Sequence, residues 1–147
     1  MPEIQRAALR DIDPETLYRM MWLRVAVFVV EQAAAYPELD GRDLEPETEH
    51  FWVSDDSGNV LATLRLLDDG DAARIGRVAT TKSARGAGLA GDLMERAVAR
   101  SVEKWPERAI HLDAQAHLAP WYGRYGFEIS GPPFEEDGIP HVPMTRA

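Results

Sequence analysis

Hydrophobic positions switch between two periods along this chain, and the switches divide it into elements. Leu17, Met20, Met21, Arg24, Val25 and Phe28 fall on one face at helical spacing, after a start at Asp13-Pro14-Glu15. Asp13 suits the N-cap there, and Pro14 the first helical position. The β-branched run Val25, Val27, Val29 and Val30 weakens that helix towards Glu31. Ile4–Leu9 reads as a first strand with poor alternation, His50–Ser54 and Val60–Leu67 as strands about a turn at Asp55–Asn59. A second turn, Asp68–Asp71, leads into a strand carrying Ile75, Val78 and Thr80. Leu89, Leu93, Met94, Ala97 and Val98 return to the helical period, and that helix stops near Trp105-Pro106. Ala109–Leu112 is a short strand, Pro120 begins a helix closing at Gly126, and Phe127–Ser130 and His141–Met144 are strand-like about a Gly/Pro-rich turn. The order is β-α-(loop)-β-β-β-α-β-α-β-β. Hairpins first and crossover helices later predict an α/β (α+β) fold, a mixed sheet with helices on its faces.

Composition narrows the class. At 147 residues the expectation is a single domain over 1–147, and 45% hydrophobic with 28% charged residues is a globular balance. No apolar run is long enough to cross a bilayer, Val25–Val30 being far too short, so no membrane partner is expected. No basic-then-apolar leader opens the chain, and cysteine is absent, which together predict a cytoplasmic protein without thiolate catalysis. A net charge of −9 argues against nucleic acid and suits a cationic acceptor such as an amine. His111 and His117 are too far apart for one helical face and lack cysteine partners, so no metal site is implied.

The most informative stretch is Arg74–Met94, RIGRVATTKSARGAGLAGDLM. A strand passes through a basic turn with Lys82 and Arg85 into a helix entry studded with Gly86, Gly88 and Gly91. Glycine lets a ligand approach the backbone, and the first helical amides have no intrahelical partner, so phosphate oxygens suit this site. A P-loop is excluded for want of Gly-Lys-Ser/Thr. Gly86-Ala87-Gly88-Leu89-Ala90-Gly91 satisfies the dinucleotide fingerprint, with Asp113 near the ribose position. Against that reading, Thr81–Arg85 separates the glycines from the strand, and the chain has no room for further βαβ units.

Arg85, Gly88 and Ala90 also meet the pattern Arg-x-x-Gly-x-Ala, and here the run resembles the acyl-coenzyme A loop of the GNAT superfamily of N-acetyltransferases. The resemblance implies a GNAT-like fold, with a mixed, mostly antiparallel central sheet, and acetyl-coenzyme A as donor. Val78, Ala79 and Thr80 would then offer strand backbone groups, the amide of Val78 or Ala79 meeting the developing oxyanion. Arg85, Gly86, Ala87, Gly88, Leu89 and Ala90 would cradle the pyrophosphate. Gln115 would stand where many members place an asparagine against the cofactor. The run Pro120-Trp121-Tyr122-Gly123-Arg124-Tyr125-Gly126-Phe127 resembles a second motif of that family, in the expected order along the chain. It makes Tyr122 the catalytic acid for the departing thiolate, a role suited to a phenol of pKa about 10. Tyr125 and Phe127 are assigned to the core.

A narrower resemblance is to the ElaA-like branch, carried by Phe28-Val29-Val30-Glu31-Gln32, Tyr36, Asp40-Gly41, Asp43, Gln115-Ala116-His117 and Glu136–His141. It makes the loop after the first helix and the 135–141 turn walls of an acceptor pocket, with Glu31, Tyr36, Asp43, His117 and His141 as substrate-binding candidates. Glu31, Asp40, Asp43, His117 and His141 are also the bases on offer, and no single one is selected. The expected partner is a small-molecule or peptide amine, and dimers are common among such enzymes. A non-catalytic coenzyme A-binding module on the same fold stays open as an alternative.

Overall fold

In a computed structural model describing residues 3–33 and 37–147, an eight-stranded sheet runs β1-β2-β3-β4-β5-β8-β6, with β7 also paired to β8. The strands are β1 (Ile4–Ala7), β2 (Glu49–Ser54), β3 (Val60–Asp68), β4 (Ala72–Thr80), β5 (Ala109–Gln115), β6 (Glu128–Ile129), β7 (Phe134–Glu136) and β8 (Ile139–Arg146). Among the described residues, only β4 and β5 pair in parallel. Local chemistry explains the pattern. Asp55 accepts the amides of Ser57 and Asn59, and Asp68 accepts that of Gly70, so two tight turns force β2, β3 and β4 antiparallel. The helix α2 (Leu89–Lys104) then crosses over and returns the chain parallel. The expected mixed, mostly antiparallel sheet flanked by helices is the observed one.

Alternation sorts each strand between two cores. Phe51 and Val53 face α2, where Leu93, Met94 and Ala97 pack with Leu64, Leu66 and Ile75. Trp52, between them in sequence, faces the opposite way, onto Met20 and Leu23 of the first helix and Val27 just beyond it. That helix, α1 (Pro14–Arg24), is capped by the Asp13 carboxylate, which accepts the Thr16 amide at 3.0 Å.

Several boundaries differ from expectation. β1 stops at Ala7, and a 3-10 turn over Leu9–Asp11 replaces its end. The β-branched run does not end the first helix; the chain continues over Val25–Glu31 in wider π-type turns, with Gln32 N bonded to Val27 O at 3.1 Å. Widening relieves crowding between branched side chains without giving up the backbone bonds. α3 (Ala119–Gly123) is a single short turn that begins before Pro120. The Gly/Pro-rich turn contains a further strand, β7, joined to β8 through Asp137 and Gly138, both at positive φ. Asp-Gly is the residue pair that such a hairpin turn favours.

The polar connection after the first helix is anchored from inside. Arg24, 1% exposed, bonds Glu38 Oε2 at 2.6 Å and both Asp43 oxygens at 2.8 and 3.2 Å. Arg65 of β3 holds Asp40 with two bonds at 2.9 and 2.7 Å and reaches Asp43 at 3.2 Å. Arg77 of β4 pairs with Glu38 at 3.0 Å and Asp40 at 3.4 Å. Three guanidiniums and three carboxylates thus balance one another and tie the connection to α1, β3 and β4. Among the described residues, no helix is long and apolar enough to cross a membrane.

Candidate active site

β4 and β5 are in register only where Ala72–Arg74 meets Ala109–His111, although both strands continue well beyond. On its other edge β4 stays with β3 through a bulge. Thr63 faces Ala79 and Arg65 faces Gly76, leaving Arg77 and Val78 opposite Leu64, with Arg77 at φ +54°. A bulge bends its strand and takes a residue out of the ladder. The strands therefore part, and a cleft of about 210 Å³ opens between them. Gly76 and Val78 line one wall, Leu112 and Gln115 the other, with Tyr122 and His141 also facing in. Phe28 and Gln32 reach the cleft because the first helix carries on through its π-type segment.

Tyr122 is 9% exposed, and burial pushes its phenol up to about 12. Trp121 stands edge-on to Tyr122 at 4.9 Å and to Tyr125 at 5.1 Å between ring centroids. His141 lies opposite Gln115 on one side and Phe134 on the other in the sheet register. Its Nδ1 is 2.8 Å from the Ile139 carbonyl oxygen, and its ring stacks on Phe134 at 5.7 Å. Glu136 Oε2 stands 3.8 Å from the other ring nitrogen.

A second hollow, about 330 Å³, lies at the mouth of α2. Thr80, Arg85, Gly86, Gly88, Leu89 and Ala90 line it, as do Trp121 and Arg124. Gly86 and Gly88 have φ of +90° and +79°, and a β-carbon built on either meets open space, so their backbone faces the hollow unobstructed. The first intrahelical bond here runs from Asp92 N to Gly88 O, which leaves the amides of Leu89, Ala90 and Gly91 without helix acceptors. Bare amides at a helix N-terminus flanked by two guanidiniums fit a diphosphate. Gly91 has a different duty, because a β-carbon there would strike the Tyr125 hydroxyl. It lets α2 close on the aromatic cluster.

The structure distributes the sequence candidates unevenly. Tyr122, Val78, Gln115 and His141 meet in the cleft. Thr80, Arg85, Gly86, Gly88, Leu89 and Ala90 meet in the second hollow, whereas Ala79 is buried under α1 and Ala87 lines neither space. Arg85 lines the hollow, yet it gives Nε to Thr80 O at 3.1 Å and its two terminal nitrogens to Glu31 at 2.8 and 2.7 Å. Glu31, expected in the acceptor pocket, is thus the brace of Arg85, and that guanidinium holds its carboxyl below the ordinary value. Asp43, also expected there, belongs to the buried Arg24 and Arg65 network instead. His117 is exposed on a 3-10 turn and does not line the cleft. Tyr36 lies outside the described residues. Sequence reasoning missed Arg124 as a second cation at the hollow. The signal was its place in the aromatic run, one turn from Trp121. It also missed Arg65 and Arg77, which line the cleft floor while holding the connection in place.

Comparison with known proteins agrees with this geometry. The model of the acetyltransferase (GNAT) domain matches residues 9–147. A UPF0039 protein of Mycobacterium tuberculosis is 48% identical over 147 residues, covering 97% of this chain and 92% of the relative. Protein ElaA of Escherichia coli is 36% identical over 138 residues, covering 92% and 90%. Among solved structures, an acyl-CoA N-acyltransferase from Pseudomonas aeruginosa superposes with a TM-score of 0.94 at 42% identity, and Escherichia coli ElaA with 0.93 at 34%, each over 100% of both chains. A split β4–β5 pair, a bare helix mouth beside it and a domain match over nearly the whole length lead to one conclusion: the chain belongs to the GNAT acetyltransferase family, in company with ElaA.

Proposed function

We propose that the protein is an N-acetyltransferase that moves an acetyl group from acetyl-coenzyme A directly to a primary amine. One observation carries this reading. The helix-mouth hollow and the Tyr122 cleft open along the same strand, Thr80 lining the first and Val78 the second. Two residues of strand span roughly 7 Å. A single extended donor can therefore lie along β4, its diphosphate on the amides of Leu89 and Ala90 and its thioester beside Tyr122. Arg124 and the unused N–H groups of Arg85 supply charge for that diphosphate. In this reading the backbone amide of Val78, at the bulge lining the cleft, meets the thioester oxygen where charge develops on attack.

Tyr122 acts on the sulfur. A phenol held at about 12 is fully protonated at neutral pH. Surrendering its proton outright to a thiolate of cysteine-like affinity would run uphill by several kcal/mol. Tyr122 therefore works as a relay, giving its proton to sulfur as the C–S bond breaks and regaining one from the attacking nitrogen through water. The acceptor must arrive with a free electron pair, so it leaves one proton with a base beforehand.

The test pairs acetyl-coenzyme A with a panel of primary amines and follows thiol release. Tyr122→Phe is expected to lower kcat by about 100-fold or more while leaving donor affinity unchanged. Full turnover in that variant removes Tyr122 from the mechanism. Donor binding without thiol release from any amine points instead to a coenzyme A-binding module.

A further inference from the structure

The proton acceptor for the incoming amine is among the bases the sequence offered, and the structure separates them. Glu31 is tied to Arg85 by two bonds, Asp40 to Arg65 by two, and Asp43 to Arg24 and Arg65 inside the protein. His117 does not line the cleft. His141 does, together with Tyr122, and its ring is held on three sides. The Ile139 carbonyl sits 2.8 Å from Nδ1, and a carbonyl can only accept, so the proton of the neutral ring is fixed on Nδ1. Nε2 is then left with its lone pair. Phe134 stacks against the ring, and Glu136 waits 3.8 Å from Nε2 to stabilise the cation once it forms.

We infer that His141 Nε2 takes the proton from the acceptor ammonium, with Tyr122 on the same cleft serving the leaving sulfur. This assignment rests on the transferase reading and deepens it. The balance is closed. The ammonium gives its first proton to Nε2, and the freed nitrogen pair forms the C–N bond. The C–S bond breaks with its electron pair on sulfur, which takes the Tyr122 proton. The nitrogen's second proton restores the phenol, and His141 returns the first to solvent. Imidazole suits the task because the neutral ring, with its proton held on Nδ1, keeps a lone pair on Nε2 that can accept one. The charged and titratable groups sharing its space are Glu136 on β7, Asp137 in the hairpin turn, Asp113 on β5 and Tyr122 on α3. From the floor come Arg65 on β3 with Arg74 and Arg77 on β4, all three engaged with carboxylates.

The test has two arms. Nitrogen NMR of the free protein reads the histidine tautomers; the expected neutral His141 carries its proton on Nδ1, and a proton on Nε2 overturns the assignment. In kinetics, His141→Gln is expected to lower kcat at neutral pH by about 100-fold, to leave the donor KM unchanged and to erase the acid limb of the pH profile. Glu136→Gln keeps that limb, because its carboxylate is not the base. A limb that survives in His141→Gln and vanishes in Glu136→Gln sinks the proposal. If wild-type protein binds acetyl-coenzyme A yet acetylates no amine, the transferase reading falls and His141 with it. An active wild type beside an equally active His141→Gln removes only the histidine. Should His141→Gln fail to fold, the tautomer measurement on the native protein still decides.

Discussion

Arg24 concentrates several consequences in one side chain. It sits at the C-terminal end of α1 and neutralises Glu38 and Asp43 where water cannot reach them. Removing one partner of such a cluster leaves uncompensated buried charge, which costs about 3–5 kcal/mol. Arg24→Ala is therefore expected to lose stability of that order in chemical denaturation, whereas an exposed pair such as Arg19 with Glu15 can be broken for under ~1 kcal/mol. A measured loss near that smaller value would mean water enters the network freely. Sequence alone did not reveal Arg24's role. It reads as one polar position in an apolar helical stripe, and its partners lie 14 and 19 residues further on.

At the scale of elements, the mouth of α2 and the end of α3 act as one unit. Gly91 leaves room for the Tyr125 hydroxyl, so the start of α2 meets the segment just after α3, whose Arg124 lines the hollow with Arg85. Arg124→Ala is expected to weaken acetyl-coenzyme A binding several-fold, most at low salt, with kcat at saturation unchanged; calorimetric titration at two ionic strengths measures it. Unaltered affinity would leave Arg124 outside the cradle. The glycine pattern and Arg85 were legible in the sequence, since a helix start and its orphan amides are local. That Arg85 would be braced by Glu31 was not, because the two meet only after the π-type segment and the loop fold together. The hairpin β7–β8 shows the same division. Its Asp137-Gly138 turn was written in the sequence, but which strand β7 would join depended on β8 being long enough to pair with both β6 and β7.

For the whole molecule, the buried network sets the response to acid. Burial lowers the His50 imidazole below its ordinary 6.5, outweighing the pull of Asp43. The unfolded chain thus binds a proton that the native state refuses, so stability falls as pH drops below about 6.5. Asp40 is held well below its ordinary 3.8 by hydrogen bonds from Arg65. Burial opposes the charge on Asp43, but the bonds and charge of Arg24 prevail and lower it as well. A second loss of stability follows as pH falls below 3.8, where these carboxylates protonate in the unfolded chain first. Melting temperature followed from pH 8 to pH 3 is expected to show both declines, and His50→Gln to abolish only the upper one. A flat curve between pH 7 and pH 5 would show that His50 is not kept neutral by the fold.

Local rules settled much of this protein. Period-2 and period-3.6 patterns, turn aspartates and a glycine-rich helix start each act within a few residues, so the mixed sheet, the open helix mouth after the glycines and the aromatic run could be read directly from the chain. Tertiary structure decided which groups share one space. It parted β4 from β5, turned Glu31, Asp40 and Asp43 towards arginines, and set His141 in Tyr122's cleft with Nδ1 on the Ile139 carbonyl. The reason is distance along the chain: a carboxylate takes whichever cation the packed strands and helices bring to it, and sequence spacing does not encode that meeting.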